Sequence, residues 1–175
     1  MTIEELQEIY RRGERDFPGI NLRRIKAYGI FNGINWAGAD LTESVFTESD
    51  MFRVNLTGAN LTEVNLTEVN LTGANLTGAN LTGANLTGAN LTGANLTEVN
   101  LTGANLTKVN LTGANLTGAN LTRANFFCAE LVEADLRNAT FLDVLNLDRV
   151  GMYNTFCLNT IWDDGSIKVG PIYLG

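Results

Sequence analysis

A leucine recurs at every fifth residue from Leu56 to Leu121, fourteen times in one register. No regular helix or strand can bury such a series on one side. An α-helix advances about 100° per residue, so successive leucines would be rotated by about 140° and scattered round its axis. A straight strand alternates faces with period two, so an odd spacing sends neighbouring leucines to opposite faces. The chain must therefore turn within every five residues. If each five residues make one side and one corner, four units close a coil, and residues twenty apart stack at the strand spacing of about 4.8 Å. Leu61, Leu81, Leu101 and Leu121 then form one interior column.

The register continues outward through Trp36, Leu41, Phe46 and Met51 on one side and Phe126, Leu131, Leu136 and Phe141 on the other, giving 22 units over residues 34–143. Two positions before each centre stands Ala, Val, Ser or Ile, which suits a second, tighter inward site near the corner. The Asn before each leucine and the Thr after it repeat so evenly that they read as structural, with side-chain ladders bonding coil to coil. Thr-Gly fits the two central turn positions, where Gly at the second permits the positive φ of a type II turn. Units carrying Glu63, Glu68, Glu98 or Lys108 in place of Gly are expected to use another turn type, and each is followed by Val rather than Ala.

This pattern of a small residue, Asn or Asp, Leu or Phe, a polar residue and a variable one resembles the pentapeptide-repeat family, without a gap over residues 34–143. The resemblance implies an all-β fold, a right-handed quadrilateral parallel β-helix (β-solenoid). Some members of that family are thought to imitate DNA and occupy the DNA site of a type II topoisomerase, so DNA gyrase is the partner this likeness implies. Those members also dimerise through their C-terminal coils.

A solenoid must shield its open ends. Thr2 and Glu5 have capping-box spacing, Ile3, Leu6, Ile9 and Tyr10 form an apolar face, and Gly13 is a stop, predicting a capping helix over residues 3–12. Leu22 lies 14 residues before Trp36, one short of three units, so the first coil should be irregular. At the other end Leu145, Asn146 and Leu147 displace the next centre by one residue, and a degraded last coil should run to about Asn159. The apolar tail from Ile161 and Trp162 through Ile167, Val169, Ile172 and Leu174, broken by Asp163, Asp164 and Gly165, reads as a turn and a cap, with a dimer interface as the alternative. The expected organisation is thus an N-terminal helix and cap over 1–19, an irregular coil over 20–33, regular repeats over 34–143 and a degraded coil with cap over 144–175.

The composition bears on function. The chain holds no histidine, three serines and two cysteines, Cys128 and Cys157, at a spacing that suits free thiols. Most acid–base and nucleophile constellations are thereby excluded, a filled coil offers no pocket, and neither enzymatic activity nor a cofactor is expected. The net charge of −7 opposes direct nucleic-acid binding, and no stretch has the length or apolarity of a membrane span. Absence of a signal-peptide core in residues 1–20 points to a soluble cytoplasmic protein. The Asn-Leu-Thr triplets match a glycosylation sequon only as a by-product of the repeat.

Coil stacking places Glu43 under Glu63 and Glu48 under Glu68, an acidic patch on two adjacent sides near the N-terminal end. That patch is the candidate interaction site. Against DNA mimicry, the stretch from Leu71 to Thr97 carries no charge. The expectation is a non-enzymatic protein-interaction or structural module, monomeric or homodimeric, whose partner is a protein. DNA-mimicking binding of gyrase is the alternative, and ice binding by Thr columns a remote one, because the Thr lie near corners.

Overall fold

In the computed structural model of the protein, which describes residues 2–162 and 166–172, the chain winds into stacked coils. Parallel β-bridges join Asn35 to Asn55, Asn55 to Asn75, Asn75 to Asn95 and Asn95 to Asn115, and the same interval of twenty holds on each of the four sides. Each side is short. Between corners only the Asn and its neighbours are extended, so the repeats make single bridge positions rather than continuous strands. A turn in every five residues leaves no room for more.

The pattern of burial follows the pattern of residue types. Each central Leu and each preceding Ala or Val is at most 1% exposed, and together they form one axial core. Ser44 and Ser49 take the small inward site and satisfy their hydroxyls on the coil below, Ser44 Oγ donating to the Leu22 carbonyl at 2.6 Å and Ser49 Oγ to that of Ala27 at 3.3 Å. Aromatic residues fill both ends of the core. Phe31, Trp36 and Phe46 pack mutually at 5.4–6.1 Å at one end, and Phe126, Phe141 and Trp162 stack at 4.9–5.5 Å at the other.

The turns differ from the expectation. Glu63, Glu68, Glu98 and Lys108 do not use another turn type: their φ values of 54–58° match the 64° of Gly58. The reason lies in the backbone bonding. Glu63 N–H donates to the Thr82 carbonyl one coil on at 2.9 Å, just as Gly58 N–H donates to Thr77 at 2.9 Å, so stacking fixes the conformation and the side chain tolerates it. A non-Gly residue held there costs about 1–2 kcal/mol. The Val that follows these four residues does leave a mark, since the turn bond from Val64 to Leu61 is 3.2 Å where that from Ala59 to Leu56 is 3.0 Å.

The Asn and Thr side chains bond first within their own unit. Asn75 Oδ1 accepts from the Thr77 amide at 3.1 Å and from its hydroxyl at 2.7 Å, an arrangement repeated along the coil. Bonds between coils are added on some sides, such as Asn80 Nδ2 to Thr62 Oγ1 at 3.1 Å and Asn55 Nδ2 to Asn35 Oδ1 at 2.9 Å.

Helix α1 spans Ile3–Arg11, opened by the reciprocal capping box of Thr2 and Glu5. It buries Leu6 in the core and closes the first coil, with the Tyr10 hydroxyl donating to the Asn32 carbonyl at 3.1 Å and Gln7 Nε2 to that of Tyr28 at 3.1 Å. Coil pairing already begins at Asp16, inside the segment assigned to the cap. Lys26 pairs with Val45 at an interval of nineteen whereas Ile30 pairs with Asp50 at twenty, so the expected shortfall falls on the four-residue unit 26–29. The last coil absorbs one extra residue through a 3-10 turn, Leu147–Arg149, so that Glu130 pairs with Gly151 at twenty-one. Pairing runs on to Ile161 opposite Thr140, slightly beyond Asn159. Strand β1, Thr155–Ile161, bonds to the coil before it through Phe156, Leu158 and Ile161 and pairs with the antiparallel strand β2, Ile167–Ile172, with a register shift between Leu158 and Thr160. The tail thus folds back along the last coil. Asp163, Asp164, Gly165 and Leu174 lie outside the described residues.

Candidate functional site

Because the turn N–H is committed to the next coil, the second turn residue of every unit points its side chain outward at a corner, and the four corners make four columns. A charged side chain there leans along its column. A Cβ built on Gly88 would lie 3.3 Å from Glu68 Cγ, and one on Gly83 would lie 3.5 Å from Glu63 Cγ. The repeat's glycine therefore gives room to the acidic stem below it.

The structure stacks Glu43 with Glu63 and Glu48 with Glu68 in two columns, but the four carboxylates are not equivalent. Arg24 donates to Glu43 from Nε at 2.8 Å and from Nη2 at 3.0 Å, and Arg23 adds a contact at 3.3 Å. The hydrogen bond from Arg24 holds the Glu43 carboxyl below its ordinary range, and Glu43 in turn raises the Arg24 guanidinium. This corner is a cross-coil ion pair more than an acidic surface. Among the described residues no base pairs with Glu48, Glu63 or Glu68. The free negative charge is thus narrower than the sequence suggests. Arg23 and Arg24 fall in the irregular coil, where a period of twenty does not assign them a column.

A second surface feature escaped the sequence reading. The large apolar side chains that stand exposed are confined to the two ends: Tyr28, Ile30 and Phe52 near the first, and Leu142, Leu145, Tyr153, Phe156, Leu158 and Ile161 near the second. Ile30 and Phe52 occupy slots that the regular units give to Asn and Thr, and both keep the interval of twenty, so the period itself carries this signal. At the C-terminal end Arg137 bridges to Asp135 at 2.5 Å beside Phe156, and its hydrogen bond lowers the Asp135 carboxyl. Cys128 is exposed on a corner and Cys157 is buried. Among the described residues no group of His, Cys, Asp or Glu is placed to hold a metal ion, and no helix is long and apolar enough to cross a membrane.

Comparison with known proteins agrees with this architecture. A family model described as pentapeptide repeats matches in eight copies, over residues 28–58, 49–88, 65–103, 74–113 and 104–141. No curated protein matches the sequence. Among solved structures, a trypsin-treated form of QnrB1, a plasmid-mediated fluoroquinolone resistance protein, aligns with 18% identity over 75% of this chain and 83% of that one at a TM-score of 0.56, a likeness of fold. A pentapeptide repeat protein from the Arabidopsis thaliana thylakoid lumen is 34% identical over 54% of this chain, which spans 63% of its length, at a TM-score of 0.45. HetL, a pentapeptide repeat protein involved in heterocyst differentiation regulation from the cyanobacterium Nostoc sp. strain PCC 7120, is 26% identical over 96% of this chain and 100% of that one, at a TM-score of 0.25.

Proposed function

The chain belongs to the pentapeptide-repeat family, and from that premise we propose that it is a non-enzymatic protein-interaction module, a right-handed quadrilateral β-helix whose ends carry the recognition chemistry. One observation carries this reading. Inward positions stay Leu and Ala or Val along the rod, while exposed large apolar side chains gather only toward its two ends and the stretch from Leu71 to Thr97 displays Thr, Asn and Gly alone. A rigid interior with chemically distinct ends is what a display scaffold needs, since specificity comes from placed side chains and not from fold.

DNA-mimicking binding of gyrase is the second reading, favoured by the family and by the unpaired Glu48, Glu63 and Glu68. Two features count against it. Glu43 is neutralised by Arg23 and Arg24, and the columns above the patch continue as Gly83 and Gly88 without charge. Ice binding finds little support, because in most regular units the Thr hydroxyl is spent on the Asn two residues before it.

A photo-crosslinking residue placed at position 48, 68, 83 or 88 tests the interaction reading in cell extract. Adducts concentrated at 48 and 68 are expected, and equal yields at all four positions would defeat it. The gyrase alternative is separated by a supercoiling assay. Inhibition by the protein that is lost when Glu48, Glu63 and Glu68 become Gln would favour mimicry over the broader reading.

A further inference from the structure

Tyr28 and Ile30 are 60% and 62% exposed, and Phe52 is 37% exposed. Between the helix and residue 141 they are the large apolar side chains in that condition among the described residues. They fall on two adjoining sides of the first coils. Tyr28 and Ile30 flank Gly29 at the corner shortened by one residue, and Phe52 lies one coil on, along the side that Ile30 begins. The same corner carries Glu48 in the second coil and Glu68 in the third.

The exposure of Ile30 is not forced by the core. Its slot is the bridge position filled above it by Asp50, Asn70 and Asn90. The cross-coil hydrogen bond that an Asn would supply comes instead from Asn32, whose Nδ2 donates to Asp50 Oδ2 at 3.0 Å, and Asn32 Oδ1 also accepts from the Phe52 amide at 2.8 Å. Asn32 supplies the bond between coils without residue 30, and an isoleucine faces water. Phe52 replaces the usual Thr, and its ring is held by the Arg53 guanidinium 4.9 Å from the centroid. Glu48 and Glu68 stack as like charges, an arrangement that costs stability when left uncompensated. The nearby bases are Lys26, Arg53 and Arg11, the last beside Ile30 and paired with Glu8, and none forms an ion pair with Glu48 or Glu68.

We infer that this corner docks a protein segment presenting an aliphatic or aromatic side chain beside a lysine or arginine. The apolar group covers Tyr28, Ile30 and Phe52, and the cation bridges Glu48 and Glu68, which relieves their repulsion. Charge complementarity selects a basic segment over an acidic one, and exposed apolar clusters of this kind mark interaction sites. The inference rests on the interaction reading above and names its partner's chemistry.

The test is a titration of the full-length, 15N-labelled protein with a synthetic peptide of Lys-Leu-Gly repeats and, separately, one of Glu-Leu-Gly repeats. Saturable amide shifts confined to residues 28–30, 48, 52 and 68 are expected with the basic peptide, with at least about tenfold weaker binding of the acidic one. Ile30→Asn with Phe52→Thr restores the repeat's own residues, keeps the fold and should abolish those shifts. Glu48→Gly with Glu68→Gly should leave the two peptides binding alike. No localised shift, equal binding of both peptides to the parent protein, or unchanged binding by the Ile30→Asn, Phe52→Thr variant would each overturn the inference. So would concentration-dependent shifts at these residues without peptide, which would assign the surface to a second copy. Crosslinking at 48 and 68 that persists beside a failed titration would leave the broader interaction reading standing.

Discussion

Leu91 and its neighbours Asn90 and Thr92 meet three different environments within a single unit. Leu91 is 1% exposed and stacks between identical leucines, so its truncation leaves a cavity that neighbouring coils cannot close. Leu91→Ala should lower stability by about 2–5 kcal/mol. Asn90 Oδ1 accepts two bonds, from the Thr92 amide at 3.0 Å and its hydroxyl at 2.6 Å, whereas removing the Thr hydroxyl breaks only the second. Thr92→Ala should therefore cost about 1 kcal/mol and Asn90→Ala more than that, because it removes both bonds of the unit. Urea denaturation of the three variants checks the order, and a Thr92 change as costly as the Leu91 change would reverse the assignment of inside and outside.

Among elements, the first coil is the one whose attachment depends on charge. Arg24 and Glu43 join it to the second coil, and the Glu43 carboxyl is held below its ordinary value mainly by the hydrogen bond from Arg24. Its folded pKa is thus depressed, so the stabilisation is present above the unfolded value and is lost as pH falls through the folded one. The thermal midpoint should decline on acidification below about pH 4. In Glu43→Gln that part of the decline should be absent, as differential scanning at pH 3 and pH 6 would show; the exposure of both groups keeps the effect small. How far each element was legible follows from its regularity. The capping box of α1 and the coil of four units could be read from spacing alone. The pairing of Arg24, by contrast, depends on an interval of nineteen, and the one-residue slip at unit 26–29 moves every side chain before it to a column that the period does not give. The positive φ at Glu63 was also hidden, since its cause is a bond to Thr82 in the next coil and not anything in its own unit.

As a whole molecule the rod is a stack of nearly interchangeable layers between two particular ends. Stability in such an array is close to a sum over units and their contacts. Deleting residues 71–90, one full coil of uncharged repeats, should leave a cooperatively folded protein with a modestly lower denaturant m-value. Deleting 71–89 instead breaks the register and should lower the thermal midpoint well beyond that, a comparison that circular dichroism melts can make. The exceptions at the ends, nineteen residues in the first coil and twenty-one in the last, are absorbed by Gly29 and by the 3-10 turn at Leu147–Arg149, devices that the central repeats lack.

Four units to the coil give the rod a gearing. Adding one pentapeptide lengthens it by only about 1.2 Å, a quarter of the coil spacing, yet turns one end against the other by about a quarter revolution. The corner of Glu48 and Glu68 and the apolar outer residues of the last coil therefore keep their mutual bearing only when repeats come and go in fours. A chain of this kind can change its reach and its azimuth almost independently, the first by whole coils and the second by single units.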